Sequence, residues 1–101
     1  MYDVVVERSA VADIAHHYRY LSEHAHTAGY PDVWFDAITV AILGLVDFPL
    51  RFAIAPENAE FQAAEIRHRI VGSYRLSFTV AEQRGHVLHI RHMRQDVLNA
   101  G

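Results

Sequence analysis

The chain of 101 residues has no cysteine, which excludes disulfides and thiolate metal sites and suits one small domain, residues 1–101, with a modest core. Apolar residues make up 51% and charged residues 21%, the balance of a globular protein and not of a disordered one. The formal net charge is −3, yet residues 1–61 hold three arginines against nine acids, and residues 62–101 hold six against three.

The first predicted element is "DVVVER", residues 3–8, a short β-branched strand. Ser9 then suits the N-cap of a helix in which Val11, Ile14, Ala15, Tyr18, Leu21 and Ala25 recur at helical spacing. Gly29 fits its C-terminal stop. Pro31 suits the first turn of a second helix, with Trp34, Ile38, Ala41, Leu45 and Phe48 as its apolar stripe and Pro49 as its end. A connection this short predicts an antiparallel helical hairpin. An irregular segment, "LRFAIAPENAEFQ", leads to three strands: "AEIRHRIV" (64–71), "SYRLSFTV" (73–80) and "HVLHIRHM" (86–93). Their short glycine-containing spacers predict antiparallel hairpins. The expected fold class is α+β, in the order β-α-α-β-β-β, with the helices on one face of a mostly antiparallel sheet.

No leader is visible in "MYDVVVERS", and "AITVAILGLV" is too short to span a bilayer, so the expected setting is the cytoplasm without membrane association. All nine basic residues are arginine, whose planar fork pairs two-pronged with carboxylate or phosphate.

Alternation predicts where these arginines point. Taking Ile66, Ile70, Tyr74, Leu76, Phe78, Val80, Leu88 and Ile90 as inward places Arg67, Arg69, Arg75, His89 and Arg91 together on the opposite face. Such a face repels itself unless neutralised, and it suits phosphate or an acidic protein segment. Glu65, Glu82 and solvent offer a blander neutralisation. Eight histidines raise the question of a metal, but they form no recognised ligand pattern, so neither metal nor cofactor is expected. His92 stands beside cations that disfavour its protonated form, which suits a general base; its shared parity with Ile90 suits a hydrogen-bonded strand end equally well. Serine-triad, phosphate-loop and helix-turn-helix patterns are absent.

From "FPLRFAIAPENAEFQ" to "HIRHMRQD" the sequence resembles the RelE/ParE superfamily of bacterial toxins. The resemblance rests on Gly72, Tyr74, Arg75 and Leu76 as "G-x-Y-R-hydrophobic", with "SAVADIAHHYRYL" and "VWFDAITVAILGLVDFP" as the helices. It implies the toxin of a type II toxin–antitoxin, or plasmid-stabilisation, module, held inactive by a small antitoxin with an acidic wrapping segment. Two targets follow from the two branches: DNA gyrase, inhibited without cleavage, or mRNA cut in the ribosome. In the nuclease case Arg67, Arg75 and Arg91 would stabilise phosphate charge, His92 would move the proton, and Glu65 would be a second proton carrier. In either case Arg67, Arg69, Arg75, His89, Arg91 and Arg94 would form the partner-binding face. The chain lacks lysine and a C-terminal tyrosine, which many of those nucleases use. Its tail, His92-x-Arg94-x-Asp96, is similar to the end of ParE-branch toxins, so the gyrase branch is favoured. A non-toxic binding scaffold is the third reading.

Overall fold

The computed structural model describes residues 1–24, 27–55 and 65–94. Ala25 and Asp96, both named above, lie outside them, as does much of the irregular segment before β2. Strand β1 (Asp3–Val6) leads into helix α1 (Arg8–His24), then helix α2 (Tyr30–Leu43), two short 3-10 turns (Gly44–Val46 and Pro49–Arg51), and strands β2 (Ile66–Val71), β3 (Tyr74–Ala81) and β4 (Arg84–His92). The sheet order is β1-β4-β3-β2, with β1 parallel to β4 and the other pairs antiparallel. The expected α+β architecture, with helices packed on one sheet face, is the one observed.

The core lies between that face and the hairpin. Trp34, Ile38, Ala41 and Leu45 meet Tyr74, Leu76, Phe78, Val87 and Ile90, all buried. Helical spacing thus located the buried stripe of α2, except at its end. The α-helix stops at Leu43, and Phe48, left-handed at φ 49°, is 76% exposed. Gly29, expected to end α1, is instead the N-cap of α2 with φ 84°, ahead of Pro31 in the first turn, while α1 is described as Arg8–His24. Ser9 lies inside α1 and its hydroxyl has another use, described below.

The β3–β4 hairpin turns on Glu82 and Gln83, both at positive φ, as a two-residue turn compatible with strand twist requires. Next to it β4 carries a bulge. Ser77 faces His89 but Phe78 faces Val87, so Leu88 is the extra residue. Val87, and not Leu88, therefore fills the inward position with Ile90.

The expected parity of β2 is reversed. Arg67 sits opposite Phe78, Arg69 opposite Leu76 and Val71 opposite Tyr74, so both arginines lie on the helical side. Ile70 faces Arg75 on the other side and is half exposed. The cause is the carbonyl end of α2, which lacks intrahelical donors. Arg69 Nη1 donates to Ala41 O at 3.1 Å, and the guanidinium lies 5.2 Å from the centre of the Phe52 ring. Gly44 leaves the room: a Cβ there would stand 2.6 Å from Arg69 Nη1. Arg67 donates to Phe52 O at 2.7 Å and to Glu65 Oε1 at 3.0 Å. Two cations read as outward thus serve packing.

Candidate functional site

Strand β1 covers β4 only from Arg84 to Val87. Beyond that point the backbone of β4 needs partners on this edge, and α1 supplies them with side chains. Ser9 Oγ donates to Leu88 O at 2.6 Å, Asp13 Oδ2 accepts from Ile90 N at 3.0 Å, and His17 Nε2 donates to Ile90 O at 2.7 Å. These residues recur every four positions, about 6 Å of helix, while two strand residues span about 6.6 Å. From Ser9 at Leu88 to Asp13 at Ile90 the helix and strand advance together, and His17 closes on the same Ile90, so a polar stripe on α1 replaces a neighbouring strand. Two histidine–carboxylate hydrogen bonds accompany it, His86 Nδ1 to Glu7 Oε1 and His89 Nδ1 to Asp13 Oδ2, both at 2.9 Å.

This seam fixes what each candidate residue can do. Arg75 and Arg91 face each other across β3 and β4 on the side away from the helices. His89 belongs to that side by register, but its ring is engaged with Asp13. His92 pairs with Tyr74 and so points to the helical side, its ring edge-on to Tyr74 with centroids 5.1 Å apart. Arg75, Arg91 and His92 are therefore divided between the two faces. Glu65 is exposed and bonded to Arg67. Of the six residues expected on one basic face, register leaves Arg75, Arg91 and the edge residue His89 there; Arg67 and Arg69 are beneath the helices, and Arg94 follows β4 at its exposed end.

The helical side of His92 opens into a cleft of about 280 Å³, lined by His16, His17, Tyr20, Tyr74, His92 and Arg94. Its floor is aromatic. His17 is 5.1 Å from Tyr74 and 5.9 Å from Trp34 between ring centroids, and Trp34 is 5.2 Å from Tyr74. Burial lowers the pKa of His17, against the raising effects of its bond to Ile90 O and of Asp13. Because Nε2 donates to that carbonyl, neutral His17 carries its proton there. Burial likewise raises the pKa of the Tyr74 phenol. At the strand end the Arg94 N–H donates to His92 Nδ1 at 3.1 Å, which holds the turn that carries Arg94. The sequence pointed to His92, Arg94 and Tyr74, whereas His16 and His17 read as solvated or capping helix histidines and Tyr20 carried no signal. The available signal was the i, i+4, i+8 recurrence of Ser9, Asp13 and His17 on an otherwise apolar face.

A second concavity, apolar and of about 730 Å³, lies between the helices along Val11, Ile14, Tyr18 and Phe35, with Arg19 and Asp32 among its polar lining residues. Tyr18 donates to Asp32 Oδ1 at 2.6 Å, and this carboxylate raises the pKa of the phenol. Among the described residues, no helix is long and apolar enough to cross a membrane, and no three His, Asp or Glu side chains are placed to hold a metal ion.

A helical hairpin on a β1-β4-β3-β2 sheet, with Arg75 and Arg91 side by side on the face away from the helices, defines a RelE/ParE-like protein. More narrowly, the chain belongs to the family of the ParE toxin of type II toxin–antitoxin systems, parDE, whose model matches residues 4–97. No curated protein matches it. The family makes the protein a toxin of a type II pair, with an antitoxin as its implied partner.

Proposed function

We propose that this toxin, once free of its antitoxin, arrests growth by binding and inhibiting DNA gyrase, and that it does not cleave RNA. The observation that supports this reading is the division of the nuclease candidates. Phosphoryl transfer needs its cationic groups and its proton carrier around one phosphate. Arg75 and Arg91 lie on one face of the sheet and His92 on the other. Inhibition by binding requires only a surface. We assign to Arg75 and Arg91 the contact with an acidic segment of the antitoxin, since two neighbouring, partly exposed guanidinium groups attract carboxylates.

The test uses purified toxin in a gyrase supercoiling assay and, in parallel, a translating extract probed for cut transcripts. Loss of supercoiling with intact mRNA supports the reading. Cleaved mRNA with unaffected supercoiling would replace it by the RelE-like endonuclease, and neither effect would leave a binding scaffold. Arg75→Gln with Arg91→Gln is expected to weaken antitoxin capture at least tenfold and to flatten its salt dependence. Unchanged capture would remove this face from the interface.

A further inference from the structure

We propose that the cleft between α1 and the end of β4 is an oxyanion site that takes a phosphate monoester. The proposal goes beyond target inhibition and does not depend on it. The argument begins with Tyr74. This residue is only 7% exposed, and it lines the cleft. A phenol in the wall of a cleft offers its O–H to an acceptor bound there.

The rest of the lining has matching chemistry. Among the described residues it contains no carboxylate and one permanent cation, Arg94, for which no ion pair with another described residue is seen. Tyr20 and His16, both exposed, bring a second hydroxyl and an imidazole to the same cleft. Guanidinium and phenol donors suit an anion, and donors spread around a concavity suit the three terminal oxygens of a phosphate monoester better than the two of a carboxylate. The aromatic walls suit a flat body attached to the phosphate: Tyr20 is stacked on His24 with ring centroids 4.1 Å apart, and Tyr74 stands edge-on to both His17 and His92. His92 is a positioning residue in this arrangement, since its Nδ1 accepts the Arg94 amide.

Trp34, the chain's one tryptophan, lies 5.2 Å from Tyr74 and reports on the cleft by fluorescence. Purified toxin is titrated with inorganic phosphate, phenyl phosphate and acetate, and amide shifts are recorded by NMR alongside the fluorescence. Phosphate is expected to move the signals of Tyr74, His92 and Arg94, phenyl phosphate to bind at least threefold tighter, and acetate at least threefold weaker. Arg94→Gln should weaken phosphate binding at least tenfold. Tyr74→Phe, which keeps the ring, should weaken it at least threefold without loss of stability. Arg84→Gln, at the opposite end of β4, should leave it unchanged.

Three results would overturn the assignment. One is the absence of any response at tens of millimolar phosphate. Another is an equal loss in the Arg84 and Arg94 variants, the mark of diffuse charge attraction. The third is acetate binding as tightly as phosphate. Phenyl phosphate no tighter than inorganic phosphate would remove the aromatic walls from the site and with them the proposed ligand class. Since these measurements use the toxin alone, they stand apart from the gyrase assay.

Discussion

Removing the Asp13 carboxylate tests whether α1 side chains truly substitute for a strand. In Asp13→Ala the Ile90 amide loses its acceptor, and the contact with His89 is lost as well. A hydrogen bond to a charged group contributes about 1.5–3 kcal/mol. The His89 contact joins partly exposed groups and adds less than about 1 kcal/mol after solvent screening. The expected loss is therefore about 2–3 kcal/mol, or roughly 10–20 °C in Tm for a chain of this size. Asp13→Asn keeps an acceptor oxygen and should lose about half as much. Urea unfolding of the free toxin gives the energies, and hydrogen exchange at the Ile90 amide locates them, because protection there should fall more than in β2. An Asp13→Ala protein within about 0.5 kcal/mol of wild type, the range of ordinary surface substitutions, would refute the role assigned to the stripe.

The other expectations concern pH and packing. The folded-state pKa of His17 is lowered from 6.5, mainly by burial, so below 6.5 the unfolded chain binds more protons than the folded one. Its contribution to stability is present above pH 6.5 and is lost as the pH falls through the lowered folded value. Urea midpoints from pH 5 to 8 should rise with pH in wild type and rise less in His17→Gln; equal slopes would exclude His17 as the cause. Phe78, fully buried in β3 against Phe52, should cost about 3–5 kcal/mol when cut to alanine, measured by urea unfolding. Gly44→Ala should destabilise wild type, because the new Cβ meets the Arg69 guanidinium. In an Arg69→Met background it should be neutral or stabilising, since Gly44 has helical φ and alanine favours it. A double-mutant cycle with no coupling would dismiss that contact.

The elements were legible because their signals are local. The stripe of Trp34, Ile38, Ala41 and Leu45 marked the core face of α2, and alternation in "SYRLSFTV" marked that of β3. Alternation failed in β2, where "IRHRI" offers apolar and cationic sets of nearly equal length. The choice was made by groups distant in sequence: the carbonyl of Ala41, the ring of Phe52 and the gap at Gly44. An arginine with a helix end to cap is better placed inside than hydropathy allows. In β4 the bulge at Leu88 shifted parity partway along the strand, so Val87 and Ile90 are both inward although three residues apart. Only pairing with β3 discloses that. The basic face contracted accordingly, from five residues to the Arg75–Arg91 pair and an edge histidine already bonded to Asp13.

The location of the cleft follows from the brevity of β1. Four residues of strand leave half of β4 without a neighbour, and α1, leaving β1 through Glu7, runs on beside that open edge. The stripe that satisfies the edge ends at His17, with His16 and Tyr20 on either side of it in sequence. Were β1 three residues longer, its backbone would run beside β4 as far as Ile90, and α1 would begin farther along. His16, His17 and Tyr20 would then no longer meet the end of β4. The aromatic floor has the same origin: His17 is buried because it must reach Ile90 O, and reaching it brings the ring against both Tyr74 and Trp34. A backbone requirement at a sheet edge thus places the histidines, and with them the cleft that Tyr74 and Arg94 line.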